Sequence, residues 1–186
     1  MAEEKQDFEG KKKGLFARNP ELKKKVDDYL AKIPPEKRRE ADLKFLKFLT
    51  GEVTWAELKG YPKDMLRQFA WYAFHQYQRK EYHSAEVLFK GLAILDHTNW
   101  YYRAALGATY QKQKNFDSAI QEYSKALLLK ENELSSLANR AECYLLTHQE
   151  EEALKDINEV LKHDPQKKTN WGKKAGALKM VLEKGE

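Results

Sequence analysis

The sequence is short of everything that staples, kinks or anchors a chain. It holds a single cysteine, Cys143, so an internal disulfide is excluded, and no thiolate set exists for a structural zinc site. Cys143 sits beside Tyr144 inside a helical pattern and reads as a small core residue. No apolar run approaches bilayer length. With mean hydropathy at −0.84 and 34% of residues charged, the expectation is a soluble protein without stable membrane insertion. No basic-then-apolar leader opens the chain either, since Met1 to Lys13 is charged throughout, which points to the cytoplasm. Five histidines (His75, His83, His97, His148, His163) are scattered, and neither a glycine-rich phosphate loop nor a metal-ligand cluster is present. Enzyme is therefore the least supported class, with no catalytic residue, cofactor or metal assigned.

The net charge of +5 invites a nucleic-acid reading, but its distribution argues against one. Residues 66–165 carry 12 basic against 14 acidic side chains, while residues 1–65 carry 16 against 13 and residues 166–186 carry 6 against 2. The excess lies at the ends, interleaved with acids, as on solvated helix faces rather than a phosphate-tracking stripe.

What is present is a pattern that returns every 34 positions: Ala73, Gly107 and Ala141; Ala85, Ala119 and Ala153; Phe89, Tyr123 and Ile157. That period, with Leu106, Gly107 and Tyr110 followed by Ala119, Tyr123 and Ala126, matches the helix-turn-helix unit of a tetratricopeptide repeat. Small residues let two antiparallel helices approach closely, and Tyr72, Leu106, Tyr110 and Tyr123 are expected to fill the seam. The expected fold is all-α, with three tandem repeats (about 66–99, 100–133 and 134–167) forming a short curved solenoid. The tryptophan usual early in each repeat is Phe69, Arg103 and Leu137 here, and the closing proline appears only as Pro165.

Around the repeats, residues 1–18 read as a mobile charged tail and 19–65 as an amino-terminal helical region. Pro20 opens a helix after Asn19, and Leu22, Val26, Tyr29 and Ile33 form one apolar stripe on it. A second helix carries Phe45, Leu46, Phe48 and Leu49 and ends at Gly51. This pair must pack on the repeats, on a second subunit, or on both. Thr54 and Glu57 form a capping box for a short helix closed by Gly60. Residues 168–186, with Trp171, Ala175, Leu178 and Leu182 on one stripe, are expected to cap the last repeat.

The first helix of each repeat should line a concave groove. On its inner face stand Ala70, Phe74 and Tyr77, then Tyr101, Ala104, Ala108 and Gln111, then Ser135, Ala138, Glu142 and Leu145. Such a lining suits an extended peptide with apolar anchors rather than a carboxylate. Phe74 and Tyr77 have a competing reading, as residues packed against the amino-terminal helices.

The run Gly91-Leu-Ala-Ile-Leu-Asp-His97, with Ala104 to Ala108, Tyr110-Gln111 and Ala141-Glu-Cys143, resembles the class II chaperones of bacterial type III secretion, the SycD/LcrH family. Thr54 to Met65 is similar too, so the resemblance covers roughly residues 48–160. It implies a non-enzymatic bacterial cytoplasmic chaperone that holds hydrophobic translocators soluble and apart before export. It further implies a groove in which Phe74, Tyr77, Tyr82 and Leu95 receive proline, leucine and proline anchors, and a homodimer, for which Leu22, Val26, Tyr29 and Ile33 are the candidate interface. Tyr82 also reads as a turn-packing residue. A general scaffold, or a regulator acting with a transcription factor, are the alternatives.

Overall fold

The computed structural model describes residues 20–32, 34, 40, 43–45 and 47–185, and it divides into two compact units after Gly60. In the first, helix α1 spans Pro20–Ala31 and residues 43–45 and 47–49 are helical. The tail placed at residues 1–18, Ile33, and the side chains of Leu22, Val26 and Tyr29 lie outside the described residues. The Phe48 ring lies 6.1 Å from Phe45 and 5.1 Å from Trp55. Trp55 opens α2 (Trp55–Lys59), whose capping box forms in full: Glu57 N–H donates to Thr54 Oγ1 at 3.1 Å and Thr54 N–H donates to Glu57 Oε2 at 2.8 Å. Gly60 ends it at φ 73°, where only glycine sits without strain.

The second unit is a stack of antiparallel helix pairs: α3 (Lys63–Gln78) with α4 (Tyr82–Leu95), α5 (Trp100–Lys112) with α6 (Phe116–Leu129), α7 (Leu134–Leu146) with α8 (Glu150–His163), and then α9 (Asn170–Gly185). No strand occurs among the described residues. The first helices end at 78, 112 and 146 and the second begin at 82, 116 and 150, so the turns keep the 34-residue period. Each turn places a non-glycine residue in the left-handed region, Lys80, Lys114 and His148 at φ 66°, 62° and 58°. The reward is a doubly bonded helix end: in the first turn Glu81 N–H reaches Gln76 O at 2.9 Å and Lys80 N–H reaches Tyr77 O at 3.0 Å, and the other two repeat the pair.

The seams are built on small residues. Ala73, Ala85, Ala119, Ala141 and Ala153 are wholly buried, and the side chains beside them in the period, Phe89, Tyr123 and Ile157, are at most 1% exposed. Gly107 marks a close approach, because a Cβ there would lie 2.9 Å from Tyr123 Cδ1. Cys143 is buried beside Ala119 and Tyr123, and burial pushes its thiol pKa up to about 12, so it stays a protonated packing group.

Tyr72 departs from expectation. It is 51% exposed, not in the seam. Its equivalents are Leu106, 2% exposed, and Arg140, half-buried, so the position is a seam position in the second repeat only.

Helix α9 closes the stack: Ala175 is buried, and Trp171, Leu178 and Leu182 pack on Leu127, Leu137, Ala141, Ile157 and Val160. The turn into α9 is organised by Asp164, whose carboxylate accepts Lys168 N–H at 2.9 Å, Thr169 N–H at 2.8 Å and Thr169 Oγ1–H at 2.7 Å. Gly172 makes this possible, since any Cβ there would overlap that carboxylate.

Two outcomes follow. Gly107→Ala forces the buried Tyr123 ring to move and is expected to cost about 1–3 kcal/mol in urea unfolding. Gly91→Ala, in mid-helix with open space around its Cβ position, is expected instead to stabilise by about 0.5–1 kcal/mol. The hydrogen bonds from Thr169 and Lys168 hold the Asp164 pKa below the usual carboxylate range. Its contribution is therefore complete above the unfolded-state value and lost as pH falls through the lower folded one. Thermal melts should show Asp164→Asn destabilised at pH 7, with the gap to the native chain closing in acid.

Candidate functional site

The α3 helix turns Leu66, Ala70 and Ala73 into the stack, which leaves Phe74 on the flank, 41% exposed, and Tyr77 half-buried one turn on. Their rings lie nearly parallel, 6.4 Å between centroids and 16° between planes. Across the left-handed turn at Lys80, Tyr82 meets Tyr77 edge-on at 5.7 Å. Three of the sequence-derived groove residues thus form one continuous aromatic surface over the α3–α4 turn. Burial, and then the neighbouring Tyr82, raise the Tyr77 phenol pKa, so the group is a neutral donor at any physiological pH.

The other candidates fall differently. Tyr101, 39% exposed, lies edge-on to buried Phe89 at 6.4 Å, and its backbone N–H is capped by Asn99 at 3.1 Å. Leu95 is half-buried at the far end of α4, about 20 Å along the helix from Tyr82. It lies near the start of α5 and does not join the Tyr82 cluster. Ala70 and Ala104 are buried, 9% and 8% exposed, and offer little surface of their own. Ala108 and Gln111 are half-buried, and Gln111 is tied into the protein by its amide.

Several groups escaped the sequence reading. Trp71 is 64% exposed and lies against His75, ring centroids 4.0 Å apart and tilted by 59°, on the same helix as Phe74. Arg103 donates to Glu122 at 3.0 Å, and Arg140 grips Asp156 with two bonds of 2.7 Å while also reaching Ser124 Oγ at 2.8 Å. Glu122 and Asp156 stand one period apart and are both buried, a signal that was available. Among the described residues no cluster of His, Cys, Asp and Glu could hold a metal ion, and no helix is long and apolar enough to cross a membrane.

Comparison with known proteins places this geometry. A tetratricopeptide-repeat family model matches residues 71–99. The low calcium response locus protein H of Yersinia pestis is 35% identical over 107 residues, 58% of this chain and 64% of that protein, so the chain matches a little under two thirds of its length. The type III secretion translocator chaperone SycD of Yersinia enterocolitica superposes with a TM-score of 0.62 at 28% identity, covering 69% of this chain and 98% of SycD. SycD in complex with a peptide of the translocator YopD gives 0.56 at 27% identity, covering 64% and 95%. By its repeats, its fold and these relatives, the chain is similar to the tetratricopeptide-repeat translocator chaperones of type III secretion.

Proposed function

We propose that this chain is a non-enzymatic bacterial cytoplasmic chaperone that holds hydrophobic translocator proteins through an extended segment and keeps them soluble and apart until export. The observation that carries the reading is the Phe74–Tyr77–Tyr82 surface, aromatic and partly open to solvent, in a fold whose relative SycD has been crystallised with a translocator peptide. Aromatic rings held by each other present apolar area at little entropic cost, which suits anchors such as proline and leucine. Trp71 and Tyr101 extend that area, Ala70, Ala104 and Ala108 give it depth, and Leu95 and Gln111 complete the proposed lining. Residues 66–167 are the binding body in this reading, 19–65 the dimerising region and 168–186 the cap.

The decisive experiment is affinity capture from the native cytosol with the unmutated chain and with Phe74→Ala plus Tyr77→Ala, the bound proteins being identified by mass spectrometry. The native chain is expected to bring down one or two proteins with long apolar segments, and the double variant to lose them. Two buried aromatic contacts at about 1.5–3 kcal/mol each correspond to a loss of roughly 100-fold or more. Soluble partners indifferent to the double substitution would sink the reading. We further propose a homodimer through the Leu22, Val26, Tyr29 and Ile33 stripe. Val26→Glu with Tyr29→Glu is expected to convert a dimer to a monomer in sedimentation; an unchanged mass would refute that interface.

A further inference from the structure

The inner face of the stack changes character along its length. One column of equivalent positions reads Phe74, Ala108, Glu142, and the next reads Tyr77, Gln111, Leu145. The polar members, Gln111 of the second repeat and Glu142 of the third, are joined into a chain. Tyr123 Oη donates to Gln111 Oε1 at 2.8 Å, and Gln111 Nε2 donates to Glu142 Oε2 at 2.5 Å. Lys174 Nζ, from α9, donates to the same Glu142 oxygen at 2.6 Å and to Asn139 Oδ1 at 2.5 Å. Four helices, α5, α6, α7 and α9, contribute. The chain is anchored on Tyr123, which is 1% exposed, yet the side chains of Glu142 and Lys174 keep 37% and 26% exposure.

We infer that this polar chain is a stop that ends the apolar part of the groove and so selects the partner's sequence. The segment held must place its apolar anchors over α3 and the start of α5 and carry hydrophilic residues where it crosses Gln111, Glu142 and Lys174. The inference rests on the groove reading above and adds a register to it. An apolar side chain laid on Glu142 and Lys174 would strip water from a carboxylate and an ammonium and return nothing. A hydroxyl or a backbone carbonyl there finds donors to spare, since an amide carries two N–H groups and an ammonium three, and the internal chain uses only some of them.

The test uses the YopD peptide, fluorescently labelled and titrated by anisotropy. It is taken unextended and with three added residues, all Leu or all Ser, at either end. The native chain is expected to bind the Ser-extended form about tenfold more tightly than the Leu-extended form at one end only. In Glu142→Leu with Lys174→Met, checked for folding by circular dichroism melts, that ratio should fall to within about twofold. Equal binding of Leu and Ser extensions at both ends of the native chain overturns the inference, as does discrimination retained by the folded variant. If the variant does not fold, the native ratio alone decides. Failure of the unextended peptide to bind is a different result, and it brings down the groove reading itself.

Discussion

The second unit depends on one constraint, that two helices of each pair cross where neither has a side chain larger than a methyl group. Ala73 and Ala85, Gly107 and Ala119, and Ala141 and Ala153 satisfy it in turn. Close crossing lets the large neighbours Phe89, Tyr123 and Ile157 fill the flanks without voids, and all three are essentially inaccessible. It also dictates the turn. Helices this close leave room for three linking residues between 78 and 82, and the link closes only if its middle portion enters the left-handed region. Lys80, Lys114 and His148 bear that conformation at about 1–2 kcal/mol each, offset by the carbonyls their turns satisfy.

Apolar packing alone would leave the stack free to slide, because one methyl-lined seam resembles the next. Arg103 with Glu122, and Arg140 with Asp156, supply what the seams lack. Each pair joins the first helix of a repeat to the second, and Arg103 also reaches the carbonyl of Ala93 in the repeat before. Paired charges this buried contribute little net stability, but a shift of one helical turn would strand a guanidinium without its carboxylate. The arginines therefore act on register more than on strength.

The repeat pattern, and with it the all-α fold, was legible because the physical requirement is strict: a methyl-sized residue at a fixed interval tolerates few substitutes. The aromatic surface was legible for a related reason, since Phe74 and Tyr77 share a face by helical geometry alone. What escaped involved the ends of the array and contacts between distant residues. Tyr72 matches a seam position by spacing, yet it is 51% exposed while its equivalent Leu106 is buried. Lys174 reads as one lysine among many on a basic helix, and only packing of α9 against α7 brings it to Glu142. Leu95 lies on the same helix as Tyr82, yet helix length separates them.

Exposure by itself does not identify the binding surface, and α3 shows why. Phe69 and Tyr72 are 45% and 51% exposed, slightly more than Phe74 at 41%. The equivalents of Phe69 are Arg103 and Leu137 and those of Tyr72 are Leu106 and Arg140: the leucines are buried, and the arginines are half-buried in ion pairs with Glu122 and Asp156. The fold itself makes use of those two positions in the later repeats. Phe74 is different. Its equivalents are Ala108 and Glu142, both half-buried, and neither is aromatic. Tyr77 follows the same logic, with Gln111 and Leu145 as its half-buried equivalents. An aromatic pair at positions where the later repeats carry Ala108, Glu142, Gln111 and Leu145 is a property of the first repeat alone, in keeping with the binding role proposed for it.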